Sequence, residues 1–388
     1  SCQAQASDDF ERTHWSYNIG IDAWRLDPSV HSDPEPWNAQ NTNLLLPNAA
    51  TAWHFTNTSP YVIVSANQSI GKTATLSFKA KANQTSGLKV DEAALHKEIS
   101  PSLGVRAGLV NYKTSWCRTY EPDNGWIREV ETTCLTRALS DVTGGAPGLQ
   151  VVTQTFWDHF LVQSQVGIYR PMAFHYAPKE FGNFIPNANY QVANNHKYGF
   201  NINLLELDKA IEARLSYLHA NQLAVVTDNK IGANYPQKSD LWYWGISAPL
   251  TSKLSARLTW LTQNQNIQLW PTQYSGELRN IEHRQTKTST SLELSYRTTS
   301  IDLVSLGISR TTFDDTGVLF SNLNEILEQS PPFYIRTRQL SIAWRHDWSN
   351  GLFGIVQGIW ALQNNAPYSN TEYAAHGNAI GVRLGYQH

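Results

Sequence analysis

The segment Asn378-Ala-Ile-Gly-Val-Arg-Leu-Gly-Tyr-Gln-His388 alternates apolar residues with polar or small ones. In an extended strand, one side would carry Ile380, Val382, Leu384 and Tyr386. The other side would carry Arg383 between two glycines. A period of two with one apolar face is typical of a strand that separates two environments. Because the polar side carries a guanidinium, we expect it to face water or a polar lumen.

The composition excludes several classes of protein. Charged residues make up 16% of the chain, against roughly 25% in an average soluble domain. The mean hydropathy of -0.40 is too low for a helical membrane protein, and no apolar run reaches the about 18 residues of a membrane-spanning helix. A net charge of -2 gives no reason to expect a nucleic-acid partner. The chain begins without a hydrophobic leader, so we expect Ser1 to mark the processed end of an exported protein.

Alternation of the same kind recurs along the chain and predicts sixteen strands. They span residues 15–25, 61–68, 73–83, 91–100, 103–112, 148–157, 159–170, 198–206, 209–220, 240–248, 253–265, 288–297, 300–313, 334–347, 352–363 and 377–388. For 300–313 the apolar side is ambiguous, because Ile301 and Leu303 lie on one side of the strand and Val304, Leu306 and Ile308 on the other. Tight turns alternate with long polar loops such as 26–60, 171–195 and 266–287.

These features predict one all-β domain over residues 1–388, a transmembrane antiparallel barrel with short periplasmic turns and long external loops. A soluble propeller or pair of sandwiches is the alternative, but it would show internal repeats or connections of uniform length.

The closing strand, with Tyr386 third from its end, resembles the last strand of Gram-negative outer-membrane β-barrels, although His388 stands where that family usually has Phe. The whole pattern resembles the sixteen-stranded general and specific porins. The resemblance implies a bacterial outer-membrane location, contact with the lipid bilayer and lipopolysaccharide, and a homotrimer in which the flatter, less aromatic outer faces meet. A barrel of this size cannot be filled by its own side chains, so an aqueous channel is expected.

In such porins the third long loop folds into the barrel and narrows it, and residues 113–147 hold that position here. Their charges include Arg118, Asp123, Arg128, Glu129 and Glu131. Opposed charges at a constriction select solutes by charge and dipole. Cys117 and Cys134 lie in the same loop, where a disulfide suits an oxidising periplasm or cell surface. Free thiols and an ordinary surface loop remain the alternatives, and Cys2 is lipidated, free or linked to a partner.

Charged residues on the polar phase of the strands are the candidate lining of the channel. They are Lys79, Lys81, Arg106, Arg214, Arg257, Arg297, Arg345, Arg383, Asp22, Glu98, Glu212 and Glu293. Eight bases against four acids predict a mild preference for anions. Aromatic residues near strand ends, among them Trp157, Tyr198, Trp242 and Trp344, are expected to form girdles at the two interfaces. Only Tyr169 and Tyr243 are expected to point inward.

No catalytic motif, cofactor site or metal-ligand spacing stands out in the sequence. His159 beside Asp158 lies at a predicted tight turn. The sequence therefore predicts a channel, not an enzyme, for passive diffusion of small hydrophilic solutes or ions. The alternative is a barrel with little channel activity that serves as a surface receptor, an adhesion partner or the scaffold of a lipoprotein.

Overall fold

The computed structural model describes residues 13–29, 59–83, 87–110, 125–127, 146–170, 175–176, 190–226, 234–274, 277–320, 326–329, 333–366 and 373–388. Its strands are β1 Thr13–Ser29, β2 Ser59–Ile70, β3 Ala74–Asn83, β4 Gly87–Ser100, β5 Leu103–Val110, β6 Ala146–Trp157, β7 Phe160–Tyr169, β8 His175–Tyr176, β9 Tyr190–Glu206, β10 Ile211–Val226, β11 Asn234–Pro249, β12 Leu254–Tyr274, β13 Glu277–Arg297, β14 Asp302–Phe320, β15 Ile326–Gln329, β16 Phe333–Asp347, β17 Leu352–Ala366 and β18 Tyr373–Gln387.

Sixteen of these strands form a closed antiparallel barrel, which confirms the predicted fold. Each pairs with its neighbours along the chain, and β1 pairs with β2 on one side and with β18 on the other. The short strands β8 and β15 only extend the ladders of β9 and β14. Closure gives each of the sixteen strands a neighbour on both sides, and a spanning sheet needs this because lipid offers no hydrogen bonds to the backbone.

His388 takes part in closing the barrel. Its main-chain N–H donates to the Tyr17 carbonyl at 3.0 Å, and its carbonyl accepts from the Tyr17 N–H at the same distance. The two rings lie with centroids 5.3 Å apart. The residue that departs from the usual Phe therefore still places an aromatic ring against the first strand.

The two faces of the barrel differ as the alternation predicts. On β18, Ile380, Val382 and Leu384 are 58%, 48% and 52% exposed, whereas Arg383 between them is 2% exposed. The phase of β14 is now settled, because Val304, Leu306 and Ile308 lie on the exposed face and Ser305 and Ser309 on the buried one. An apolar band that faces outward all around a barrel is the surface that lipid covers.

The connections define a turn end and a loop end of the barrel. All the predicted tight turns lie at the turn end, together with Thr13 and His388. Gly351 illustrates why such turns need particular residues: its φ is +84°, and a Cβ there would lie 2.5 Å from the Gln387 carbonyl oxygen. The described residues contain no helix that could span a membrane.

Several strands run further toward the loop end than the sequence indicated. The predicted loop 266–287 is mostly strand, since β12 continues to Tyr274 and β13 begins at Glu277. Main-chain pairing continues in these extensions, although their sequence lacks a regular alternation of apolar and polar residues. Period-two analysis therefore detects only the part of a strand that crosses the lipid.

Candidate functional site: the barrel interior

A buried ion pair joins the first and last strands on the inner face. Arg383 donates from Nε and Nη2 to the two carboxylate oxygens of Asp22, at 2.6 and 2.8 Å. The guanidinium also lies 4.8 Å above the Tyr61 ring. Tyr61 in turn donates to the Asn18 amide oxygen at 3.1 Å. This two-point geometry fixes the orientation of the guanidinium at the seam where the barrel closes.

The same guanidinium holds part of the loop that connects β5 and β6. Within residues 113–147 the structure describes Gly125, Trp126 and Ile127 as well as the first residues of β6, and those three are all buried. Arg383 Nη2 donates to the Ile127 carbonyl at 3.2 Å. The Ile127 N–H donates to the Gln357 side-chain oxygen at 3.0 Å. The main-chain N–H and C=O of Ile127 therefore fix the loop segment to the inner face of β17 and β18.

Apolar contacts and a glycine complete this attachment. Trp126 and Ile127 cluster with Ala343, Phe353 and Ile355, which point inward from β16 and β17. A Cβ on Gly125 would lie 2.9 Å from Leu303 Cδ2 and 3.1 Å from Ser305 Oγ, so the backbone approaches β14 closely. The segment starts from β5 and β6 yet rests on β14, β16, β17 and β18, several strands away around the barrel.

Most of the predicted lining charges form ion pairs. The pairs are Lys81 with Asp91 at 3.0 Å, Arg214 with Glu212 at 3.3 Å, Arg257 with Glu293 at 3.7 Å, Arg345 with Asp347 at 2.6 Å, Arg383 with Asp22, and Arg106 with Glu92. Arg345 also stacks on the Phe353 ring at 4.6 Å. Lys79 and Arg297 have no carboxylate within ion-pair distance in the part of the chain that is described. Glu98 is exposed near the turn end.

Three of these carboxylates were missing from the sequence-based list. Asp91 and Glu92 are consecutive, and ordinary alternation would put only one of them on the inner face. A register shift occurs where Lys79 pairs with Glu92 and Ala80 with Val90, which leaves Asp91 as the extra residue of a β-bulge. Both acids thus bind inward-facing bases. Asp347 was missed because it ends its strand. The count of eight bases against four acids therefore overstated the positive charge.

An apolar patch on the inner face was not predicted at all. It comprises Leu218, Leu241, Leu261 and Tyr243, together with Ala94, Val110, Tyr169 and Ala220. Leu218 and Tyr243 have 0% of their surface exposed. The Gln150 side-chain amide donates to the Tyr169 hydroxyl at 3.0 Å. The inward orientation expected for Tyr169 and Tyr243 is thus confirmed, in a patch whose Leu residues break the polar phase of β10 to β12.

Several predicted site residues lie outside the described part of the chain. They are Cys117, Cys134, Arg118, Asp123, Arg128, Glu129 and Glu131. The disulfide and the charges of the constriction therefore stay predictions. The turn residue His159 is described, and its Nδ1 lies 3.1 Å from Asp208 in the adjacent turn.

The outer face carries aromatic residues near both ends of the apolar band. Near the turn end, Asp302 accepts from Trp344 Nε1 at 3.1 Å and contacts His346 Nδ1 at 2.8 Å. Nearer the loop end, Asp240 contacts His219 Nδ1 at 2.8 Å and accepts from the Tyr217 hydroxyl at 2.7 Å, beside Trp242. Such half-polar rings belong at membrane interfaces.

Comparison with solved structures finds the same fold in bacterial outer-membrane proteins. A loop-deletion mutant of OmpT, an outer membrane protein of Vibrio cholerae, aligns with a TM-score of 0.52 at 11% identity over 97% of this chain and 100% of that one. The outer membrane channel DcaP of Acinetobacter baumannii gives 0.51 at 9%, over 98% and 99%. OprB of Pseudomonas putida gives 0.51 at 8%, over 96% and 94%.

Comparisons with protein-family models and with curated protein sequences gave no match. At identities this low the structural likeness establishes the fold. The chain has the architecture of the outer-membrane β-barrels, and its resemblance to the porins is confirmed at that level.

Proposed function

We propose that the chain forms a water-filled channel in the bacterial outer membrane for passive diffusion of small hydrophilic solutes or ions. A closed barrel of sixteen strands is too wide for its own side chains to fill. Its inner face carries Ser, Thr, Gln and paired charges, which is the polar lining expected of an aqueous channel. The mechanism requires no cofactor and no catalytic group.

The observation that carries this proposal is the attachment of Gly125–Ile127 across the barrel. A loop segment that leaves β5 and is anchored on the inner face of β14 and β16 to β18 would narrow the lumen. Solutes would then be selected by size and by the charges that border the narrowed passage. The predicted charges of residues 113–147 would supply one side of that passage.

A mild preference for anions is part of the proposal. Of the eight predicted lining bases, Lys79 and Arg297 are the two without a carboxylate within ion-pair distance among the described residues. The six paired bases contribute little net field, because each lies beside an acid. The preference should therefore be weak, and it should depend on these two side chains.

Conductance in planar bilayers tests the channel and its constriction together. Replacing Gln357→Ala removes the acceptor of the Ile127 N–H, so we expect a stable open channel with higher single-channel conductance. Gln339→Ala is the matched control, because Gln339 is also a buried glutamine on the inner face but donates to Ser341 at 3.0 Å. We expect this control to conduct like the unchanged protein.

Two results would contradict the proposal. A barrel that inserts but carries no current would favour the receptor or scaffold hypothesis. Equal conductance for both glutamine variants and the unchanged protein would show that the attached loop segment does not form the constriction.

We also propose a homotrimer that associates through the outer face of β2 to β5. That face carries mainly small or aliphatic side chains, including Val62, Ala82, Ala93, Val105 and Ala107. The outer face of β9 to β12 instead carries large aromatic rings such as Tyr198, Trp242, Trp244 and Trp260. Flat surfaces of small side chains allow barrels to approach closely.

A further inference from the structure

Two arginines face each other directly on the outer face of the barrel. Arg310 of β14 and Arg338 of β16 are partners in the ladder between these strands. Both are exposed, and both lie on the phase that carries Ile308 and Leu340 toward lipid. A third exposed arginine, Arg336, lies two residues further along β16 and stacks on the Tyr334 ring at 4.6 Å.

This arrangement is unfavourable in the barrel alone. Directly opposed residues in an antiparallel pair have Cβ atoms only about 5 Å apart, and like charges there repel. None of the three arginines has a carboxylate within ion-pair distance among the described residues. The nearest acid on this face of β14 is Asp314, which pairs in register with Tyr334 and lies four residues from Arg310. The neighbouring outer-face positions, Thr290 and Leu362, are uncharged.

The arginine cluster, defined as Arg310, Arg336 and Arg338, lies at the loop-end border of the apolar band. The turn-end border on β14 is marked by Asp302, which holds His346 and Trp344. Eight residues separate Asp302 from Arg310, or about 27 Å along a strand. At a tilt of about 40° this corresponds to roughly 20 Å of height, close to the apolar band of outer-membrane barrels. The guanidiniums thus sit at the level of the headgroups of the external leaflet.

We propose that the arginine cluster binds the phosphate of an external-leaflet lipid. An arginine guanidinium matches phosphate oxygens with paired hydrogen bonds, and two guanidiniums side by side can share one dianion. A bridging phosphate would convert the repulsion between Arg310 and Arg338 into attraction to a common anion. The acyl chains of the same lipid would lie along Ile308 and Leu340. This site is independent of the channel proposal, since it lies outside the barrel.

The test measures heat stability of the detergent-solubilised protein as a diphosphorylated lipid A is titrated. We expect lipid A to stabilise the unchanged protein, and Arg310→Gln/Arg338→Gln to bind it at least roughly tenfold more weakly, because charge-assisted hydrogen bonds are lost. Lys97→Gln/Lys253→Gln is the matched control, since it also removes two exposed cations but at the turn end. It should respond to lipid A like the unchanged protein.

The effect of a single arginine substitution on heat stability should change sign when lipid A is added, and this gives a second and sharper readout. Without lipid A, the single variant Arg338→Gln should be more heat-stable than the unchanged protein, because the repulsion is gone. At saturating lipid A the order should reverse. Equal stabilisation by dephosphorylated lipid A, or by inorganic phosphate alone, would overturn the proposal, as would an unchanged lipid A response in the double variant. Conductance of the variants in bilayers should stay unchanged, which separates failure of this site from failure of the channel.

Discussion

Arg383 combines three roles that no single contact would reveal. It neutralises Asp22, which is itself buried, it packs on the Tyr61 ring, and it donates to the Ile127 carbonyl. A buried guanidinium is costly unless its donors and charge are satisfied, and here main chain and carboxylate do so together. The sequence placed Arg383 on the inner phase of its strand. Its partners could not be predicted, because Asp22 is 361 residues away along the chain.

Replacing Arg383→Met should destabilise the barrel, because Asp22 would remain buried without a counter-charge. Breaking such a pair costs about 3–5 kcal/mol. We expect a lower temperature for loss of the folded band in heat-modifiability gels. Asp22→Asn combined with Arg383→Gln should recover part of the loss, since no buried charge is left alone. A double variant less stable than Arg383→Met would show that the ion pair is not the cause.

At the scale of single strands, the sequence predicts the part that crosses the membrane better than the part near the loops. All sixteen predicted strands exist, and their inner and outer phases follow the alternation, because each residue in the lipid-crossing part meets either lipid or the interior. Their loop-end extensions were missed because the sequence there does not alternate regularly between apolar and polar residues. The bulge at Asp91 was missed because an extra residue changes the phase without changing the residue types nearby.

The proposed trimer contact can be tested on a single strand. Ala107 points outward from β5, beside Leu95 of β4 and Leu149 of β6. Ala107→Trp should prevent close approach of two barrels and shift the protein to monomers in detergent, as measured by light scattering. Ile308→Trp on β14 adds a ring to a face that we expect to contact lipid, and it should leave the oligomer intact. A trimer that survives Ala107→Trp would place the contact elsewhere.

At the scale of the whole molecule, most of the predicted lining bases are neutralised by carboxylates. Six bases form ion pairs that cross neighbouring strands or join residues along one strand, and the acids that complete three of these pairs were found only in the folded structure. Selectivity should consequently arise from a few unpaired charges and from the loop across the lumen. Any estimate of selectivity from a simple count of lining charges would be too large.

The anion preference should be small and should disappear in Lys79→Gln/Arg297→Gln. Reversal potentials in a salt gradient measure this directly. Lys97→Gln is the control, because Lys97 is a cation on the outer face of β4, where it donates to Thr73. Cation selectivity in the unchanged protein, or an unaltered reversal potential in the double variant, would contradict the assignment of these two bases.

The sequence by itself determined the barrel: the number of its strands, the inner and outer phase of most of them, and the end at which they turn. Each of these depends on a local contrast between a side chain that meets lipid and its neighbour that does not, and period-two alternation records that contrast. Only the tertiary structure decided what lies inside. Asp22 meets Arg383, and Ile127 meets Gln357, because closing the sheet brings the two ends of the chain together and returns a loop across the lumen. No local pattern encodes contacts made over such separations along the chain.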